Sequence, residues 1–464
     1  MGSEIDLARF IVNASYDDLP NEAIKACKRD ILDTIGVGIA GSSSRGIREV
    51  ANYAVEMKGK ESSTILADGI KVPPVSAALV NGSMCHALDY DDTHDKAVLH
   101  TGAVVIPASL AIAEYVGSVS GKDLITAVTL GIEIHCRLGL ATKLWIGWML
   151  TPLYGYFGAA TAVGKLLGLS EKELLSAWGI SYSLAAGNTE MIVSGGLTKR
   201  IQAGFAASGG VLSALLARRG ISGSESSFEG EAGLFNLYQR GMYDSTALTR
   251  GLGKTFEVTN LSFKPYPCCR FNHSAIKAAL EITRIYNINP EEIVEVRVGL
   301  SSAGYINNCE PIEVKKKPRN IVDAQFSIPY GVACALVRRR LNLADLSDEM
   351  VRDPKVLEVA SKVNCYVDPD IEEEAGRDIA PSIVELHTKA GNKYSFKIDI
   401  PPGHPFNPMT DDDLKHKFQD CALSEGVPAK KAENLVNILN DLELLDNISH
   451  VTKLFHLHRQ STSR

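Results

Sequence analysis

Phe263-Lys264-Pro265-Tyr266-Pro267-Cys268-Cys269-Arg270-Phe271-Asn272-His273 divides the chain into two textures. Before it, apolar residues recur at helical spacing in segment after segment. Ile24, Cys27, Ile31, Leu32, Ile35 and Val37 predict a helix over 22–40. Further helices are expected over 75–88, opened by Pro74, whose missing N–H costs nothing in a first turn, and over 107–116, 122–140 and 158–167. Ser170 reads as an N-cap ahead of Lys172 and Glu173. The small residues of 203–216 predict a buried, closely packed helix. After the divide, Val294, Val296 and Val298 alternate with other residues at the period of a half-buried strand. Two more strands are expected over 383–388 and 394–400 around the loop Ala390-Gly391-Asn392, with a helix over 324–340. Pro401-Pro402-Gly403 breaks the pattern. Thr410-Asp411-Asp412-Asp413 then opens a helix with acids at its positive end, and helices over 429–445 and 451–457 close the chain. The expected fold is mostly α: a large all-helical domain over 1–267, resumed over 401–464, with a smaller inserted α+β lid domain over 268–400.

Bulk properties narrow the function. A chain of 464 residues exceeds what one core fills, so two domains are expected. The net charge of -7 comes without a basic stripe, which argues against nucleic acid as partner. Nine cysteines, an odd number with no CxxC, suit reduced thiols and a cytoplasmic setting. No apolar run is long enough to span a bilayer, because Gly147, Pro152 and Gly155 interrupt the oiliest region. The N-terminal residues have neither a basic nor an apolar signal region, so no secretory signal is expected.

The chemistry concentrates in Asn81-Gly82-Ser83-Met84-Cys85-His86-Ala87-Leu88-Asp89-Tyr90-Asp91-Asp92-Thr93-His94, with Asp95 and His100 close behind. A histidine beside a carboxylate moves protons near neutral pH. If helix continues through this stretch, His86 and Asp89 share a face. The same residues also read as a solvated helix end with one capping aspartate, or as a metal site of Asp89, Asp91, Asp92 and His94, although no HExxH or EF-hand spacing is present. Lys199 and Arg200 open the small-residue helix at the end that cations normally avoid, which suits a bound anion or a merely solvated pair. At the divide, Lys264, Arg270 and His273 could face an anion, and the arginine fork suits carboxylates.

Other patterns lead elsewhere. Gly36-Val37-Gly38-Ile39-Ala40-Gly41 matches the dinucleotide fingerprint in spacing but ends a helix rather than following a strand. Gly158 to Lys165 misses the P-loop spacing, and there is no GxSxG elbow. The adjacent Cys268 and Cys269 lack the spacing of a redox pair.

The string from Asn81 to Thr93, with Lys264-Pro265-Tyr266-Pro267 and Asp323-Ala324-Gln325-Phe326-Ser327, resembles the MmgE/PrpD family over nearly the whole chain. That family includes 2-methylcitrate dehydratase, cis-aconitate decarboxylase and iminodisuccinate epimerase. The resemblance implies a homodimer, a small polycarboxylate substrate and chemistry without metal or organic cofactor. It implies catalytic roles for Asp89, Thr93, His100, Lys199 and Tyr305, and substrate contacts from Lys264, Arg270, His273 and Cys269. His100 would be the general acid or base, Asp89 would orient an imidazole or act as partner base, Lys199 and Lys264 would hold carboxylates, Thr93 would donate a hydrogen bond, and Tyr305 would close the site. One departure stands out: where the decarboxylase has a histidine, this chain has Met149, which cannot move a proton and makes the pocket more apolar. The expected function is therefore a lyase resembling 2-methylcitrate dehydratase. Epimerisation of an amino or imino dicarboxylate, cis-aconitate decarboxylation and non-catalytic metabolite binding are the alternatives.

Overall fold

A computed structural model describes residues 2–375 and 381–452. The described residues are mostly helical, with two two-stranded sheets and one four-stranded sheet, and they divide into two compact units. Of the described residues, the first holds 2–190, 197–261 and 410–452; the second holds 191–196, 262–375 and 381–409.

In the helical unit, the helices Pro74–His86, Gly102–Val116, Gly121–Ala141, Leu150–Leu167 and Thr198–Ala217 form the centre. Their close packing follows from small residues. A Cβ on Gly204 would fall 2.3 Å from the Leu79 carbonyl oxygen, and one on Gly158 would fall 2.8 Å from the His135 Cβ. The glycines of the 36–41 motif do the same work inside Asn21–Gly41: Gly36 lies against Phe418, Gly38 against Cys85, and Gly41 against the Met84 carbonyl. Phe418 belongs to Asp411–Ser424, so the chain's late helices pack onto one of its first. Gly121–Ala141 is long and apolar enough to cross a bilayer, yet 94% of its apolar window is buried inside the protein.

Predicted starts and stops hold where a side chain supplies a cap. Ser170 Oγ accepts from the Glu173 N–H, and Thr410 Oγ1 from the Asp413 N–H. Two helices begin earlier than the spacing predicts, at Leu150 and Gly102. Pro152 sits in the first turn of its helix, where no intrahelical N–H bond is lost.

In the second unit, four strands lie in the order Val363–Val367, Ile293–Leu300, Ser382–Thr388, Lys393–Ile398; the first pair is parallel and the others antiparallel. The Ile293–Leu300 pairing shifts register between Ile293 and Glu295. That irregularity corrects the expected alternation: Ile293, Val296 and Val298 point into the core, and Val294 is exposed. The expected single helix over 324–340 is two, Ile321–Gln325 and Ile328–Arg338, because Ser327 Oγ accepts the Tyr330 N–H and restarts the chain as a new cap. The segment's two ends meet. Phe263 N–H donates to the Gly403 carbonyl at 3.0 Å, and the Arg270 guanidinium donates to the Pro402 carbonyl at 2.6 Å. Gly403 has φ 85°, and any Cβ there would strike the Phe263 carbonyl. Of the expected helix over 451–457, the part beyond 452 lies outside the described residues.

Candidate active site

Helix Pro74–His86 ends at His86, so the following acids leave the helix rather than continue along one face. This corrects the expected pairing of His86 with Asp89. Asp89 has φ 51°, a left-handed conformation that aspartate tolerates better than most residues. The turn sends its carboxylate to the Lys199 ammonium, which donates to Asp89 Oδ1. Both side chains are buried. The cation at the start of Thr198–Ala217 is thus balanced by an anion from the protein itself, and Arg200 donates to the Arg45 carbonyl at 2.8 Å.

The carboxylate against His86 is that of Asp91: its Oδ2 lies 2.7 Å from His86 Nδ1, and 3.8 Å from His100 Nδ1. The two imidazole rings are 5.1 Å apart, tilted by 59°. His100 reaches this place because the chain reverses over the His94–Leu99 bridge, with Val98 at φ 54°. His100 Nδ1 lies 2.7 Å from the Asp92 main-chain carbonyl. A carbonyl only accepts, so Nδ1 carries the proton and the neutral ring has its lone pair on Nε2. Thr93 Oγ1, at 3.2 Å from the same Nδ1, is a second acceptor, which leaves its own O–H as a donor.

Asp92 also holds the loop from the other side. Its carboxylate accepts the Thr101 N–H at 3.1 Å and the Gly102 N–H at 2.9 Å, capping the helix Gly102–Val116. Burial, and then the neighbouring Asp91 charge, pushes the Asp92 carboxyl up to about 8. Asp30, from Asn21–Gly41, is raised well above the carboxylate range by burial and by Asp92. A Cβ on Gly102 would meet Thr34 Oγ1 at 2.2 Å, Asp92 Oδ1 at 2.8 Å and Asp30 Oδ1 at 2.9 Å, so only glycine fits there.

A residue that the sequence reading passed over completes the support. His135, on Gly121–Ala141, lies 3.0 Å through Nε2 from the Thr151 carbonyl and 3.1 Å through Nδ1 from Thr101 Oγ1. Thr151 Oγ1 in turn accepts the His100 N–H at 3.0 Å. One buried imidazole therefore fixes both the residue after His100 and the residue that binds its main chain. Burial drives His135 down to about 3, so it is neutral. The available signal was a run of polar groups, Glu133, His135 and Arg137, inside an apolar helix. Met149 precedes this helix start by one residue, as its N-cap, and is half-buried two positions from Thr151.

The remaining predicted residues belong to the sheet-bearing unit. Lys264 is fully buried. Cys269, whose N–H donates to the Gln325 carbonyl at 2.9 Å, begins a short turn, Arg270–Asn272, that leads into His273–Tyr286. His273 is buried, with Nε2 at 3.2 Å from the Cys268 carbonyl and its ring against Tyr266. Tyr305, on Ser302–Asn308, lines an open concavity of about 450 Å³ with Glu310, Pro311 and Ile312, and burial followed by Glu310 raises its phenol. The four groups of the metal reading have separate partners: Asp89 with Lys199, Asp91 with His86, Asp92 with two N–H groups, and His94 with Glu257 at 3.0 Å. Among the described residues no three His, Cys, Asp or Glu side chains are arranged to hold a metal ion.

Comparison with known proteins finds matches over most of the chain. The MmgE/PrpD N-terminal domain matches residues 5–245 and the MmgE/PrpD C-terminal domain residues 266–444. The cis-aconitate decarboxylase of Aspergillus terreus is 28% identical over 98% of this chain and 96% of its own. That of Homo sapiens is 27% identical over 94% and 91%. The 2-methylcitrate dehydratase of Escherichia coli K12 is 25% identical over 86% and 85%.

Proposed function

The chain belongs to the MmgE/PrpD family, and on that premise we propose that it is a lyase of small tricarboxylates, working by acid–base chemistry without a cofactor and dehydrating a hydroxy acid resembling 2-methylcitrate. The observation that carries this reading is His100: its Nδ1–H is spent on the Asp92 carbonyl, so its basic nitrogen is Nε2. In the reaction, Nε2 takes a proton from the carbon next to a substrate carboxylate. The electron pair passes into that carboxylate as enolate-like charge and returns to form the carbon–carbon double bond as hydroxide leaves the neighbouring carbon, taking the proton from the His100 imidazolium to become water. Proton transfer by a positioned group contributes on the order of 10²–10⁴-fold. Fixed positive charge at the enolate contributes more, and Lys199, oriented by Asp89, is the cation nearest in role. Thr93 O–H donates to the substrate. Lys264, Arg270, His273, Cys269 and Tyr305 keep their assigned substrate roles within this proposal. Met149 supports an alkyl-bearing substrate, since a thioether stands where a proton-carrying histidine would favour decarboxylation.

A second reading, decarboxylation of cis-aconitate, is favoured by the long matches to the decarboxylases. Incubation with 2-methylcitrate, citrate, cis-aconitate and iminodisuccinate in deuterated water, followed by proton NMR, separates them. Loss of water from a hydroxy acid supports the proposal, and loss of carbon dioxide supports the second reading. Deuterium exchange with inversion makes the protein an epimerase, and inertness towards all four overturns the lyase reading in favour of a binding protein.

A homodimer is part of the same proposal. Phe205 and Leu212, seven apart on one face of Thr198–Ala217, are exposed along with Trp145 and Leu184. Light scattering on the eluting protein gives the mass directly, and a monomer at micromolar concentration removes this element. The cytoplasmic setting rests on nine cysteines with no disulfide among them.

A further inference from the structure

We propose that Asp91 and His86 are positioning residues that hold a fixed negative charge beside the His100 ring. The proposal rests on His100 being the base and deepens that reading. Asp91 Oδ2 accepts from His86 Nδ1 at 2.7 Å and lies 3.8 Å from His100 Nδ1, with both Asp91 and His86 buried. His86 Nδ1–H donates, which favours the ionised carboxylate. The carboxylate then faces the charge that His100 acquires. When Nε2 takes the substrate proton, the C–H bond breaks, its electron pair passes into the substrate carboxylate as enolate-like charge, and the ring becomes an imidazolium with both nitrogens protonated. An anion within about 4–6 Å favours such a cation by about 1–3 pH units.

The other charged groups of the helical unit do not substitute for Asp91. Asp92 is raised to about 8 and its oxygens face the Thr101 and Gly102 N–H groups; Asp30 is raised well above the carboxylate range by burial and by Asp92. Asp33 is bridged by Lys417 at 2.7 Å, and Asp89 by Lys199. Cys85, beside His86 in the chain, is held as a thiol by burial, and His135 is neutral. The carboxylate 3.8 Å from the His100 ring is that of Asp91, steadied by His86.

The test is a pH titration of the histidine ring signals by NMR in the full-length protein, with His100 assigned from the signal lost in His100→Asn. In the unsubstituted protein His100 is expected to titrate at least one unit above the ordinary value of about 6.5. In Asp91→Asn its midpoint should fall by one unit or more, a tenfold or greater loss of proton affinity, and Asp91→Glu should restore most of it. An Asp91→Asn midpoint equal to that of the unsubstituted protein overturns the proposal. If Asp91→Asn does not fold, the unsubstituted protein decides alone: a midpoint at or below about 6.5 overturns it. The titration needs no turnover. A raised His100 in a protein inert to all four acids supports the pair while removing the lyase reading; an unraised His100 in an active enzyme removes the pair alone.

Discussion

Asp89 and Lys199, 110 residues apart in the chain, form a buried ion pair in which the lysine ammonium donates to Asp89 Oδ1. Each charge is out of water only because the other is there. The pair offsets a cation at the positive end of a helix, and under the proposed function it would hold that cation ready for a substrate carboxylate.

Lys199→Met should therefore affect stability as well as binding. Leaving Asp89 buried and unpaired costs about 3–5 kcal/mol. The double variant Asp89→Asn/Lys199→Met should recover part of that loss in urea unfolding, while its affinity for carboxylate ligands stays low. Equal stability of the unsubstituted protein and Lys199→Met would show the pair to be inert.

His100→Asn should lower kcat by about 10²–10⁴-fold with the unfolding midpoint nearly unchanged. The His100 side chain is partly exposed and its ring does not fill the core, so truncation leaves no large void. Steady-state kinetics beside a thermal melt check both halves; near-normal turnover would take His100 out of the chemistry.

Stability should decline in acid through His135. Its folded value, about 3, lies below the unfolded value near 6.5, so the unfolded chain binds the proton first. The stabilising contribution is complete above about 6.5 and is lost progressively as pH falls from there towards 3. His135→Gln should flatten this part of the stability curve measured by urea unfolding at several pH values, and a curve of unchanged slope would contradict the assignment.

Gly102→Ala should abolish activity before it abolishes folding. Its methyl group would press on Thr34, Asp92 and Asp30, and Asp92 is the residue whose carbonyl holds His100. We expect kcat to fall at least tenfold in a protein whose circular dichroism is preserved; full activity would mean the loop absorbs the methyl group without moving His100.

The helices were legible because their apolar spacing is a local signal: 22–40 was expected and Asn21–Gly41 is found. Ser170 and Thr410 were legible as caps for the same reason. Val294 misled because a register shift moves it to the solvent face, and a bulge leaves no trace in a run of alternating residues. At the candidate site, the crowd of acids and histidines was visible, but its pairings were not. Asp91 rather than Asp89 meets His86 because the helix stops at His86, and Lys199 finds Asp89 through a long-range packing of helices. His135 looked like core, lying between Glu133 and Arg137 in an otherwise apolar helix, and only the fold brings it to Thr101 and Thr151.

The bond between His100 and the main chain of Asp92 has a consequence for how such a protein changes over time. Every residue type offers the same peptide oxygen, so the orientation of the base is written into the path of the backbone rather than into any replaceable group. Under the proposed function, substitutions around the pocket, such as a methionine at 149, would alter which acid enters and which bond breaks while the proposed proton acceptor keeps its aim. Such a scaffold would separate inheritance of the base from inheritance of the substrate, so that new reactions could be reached without rebuilding the step they share.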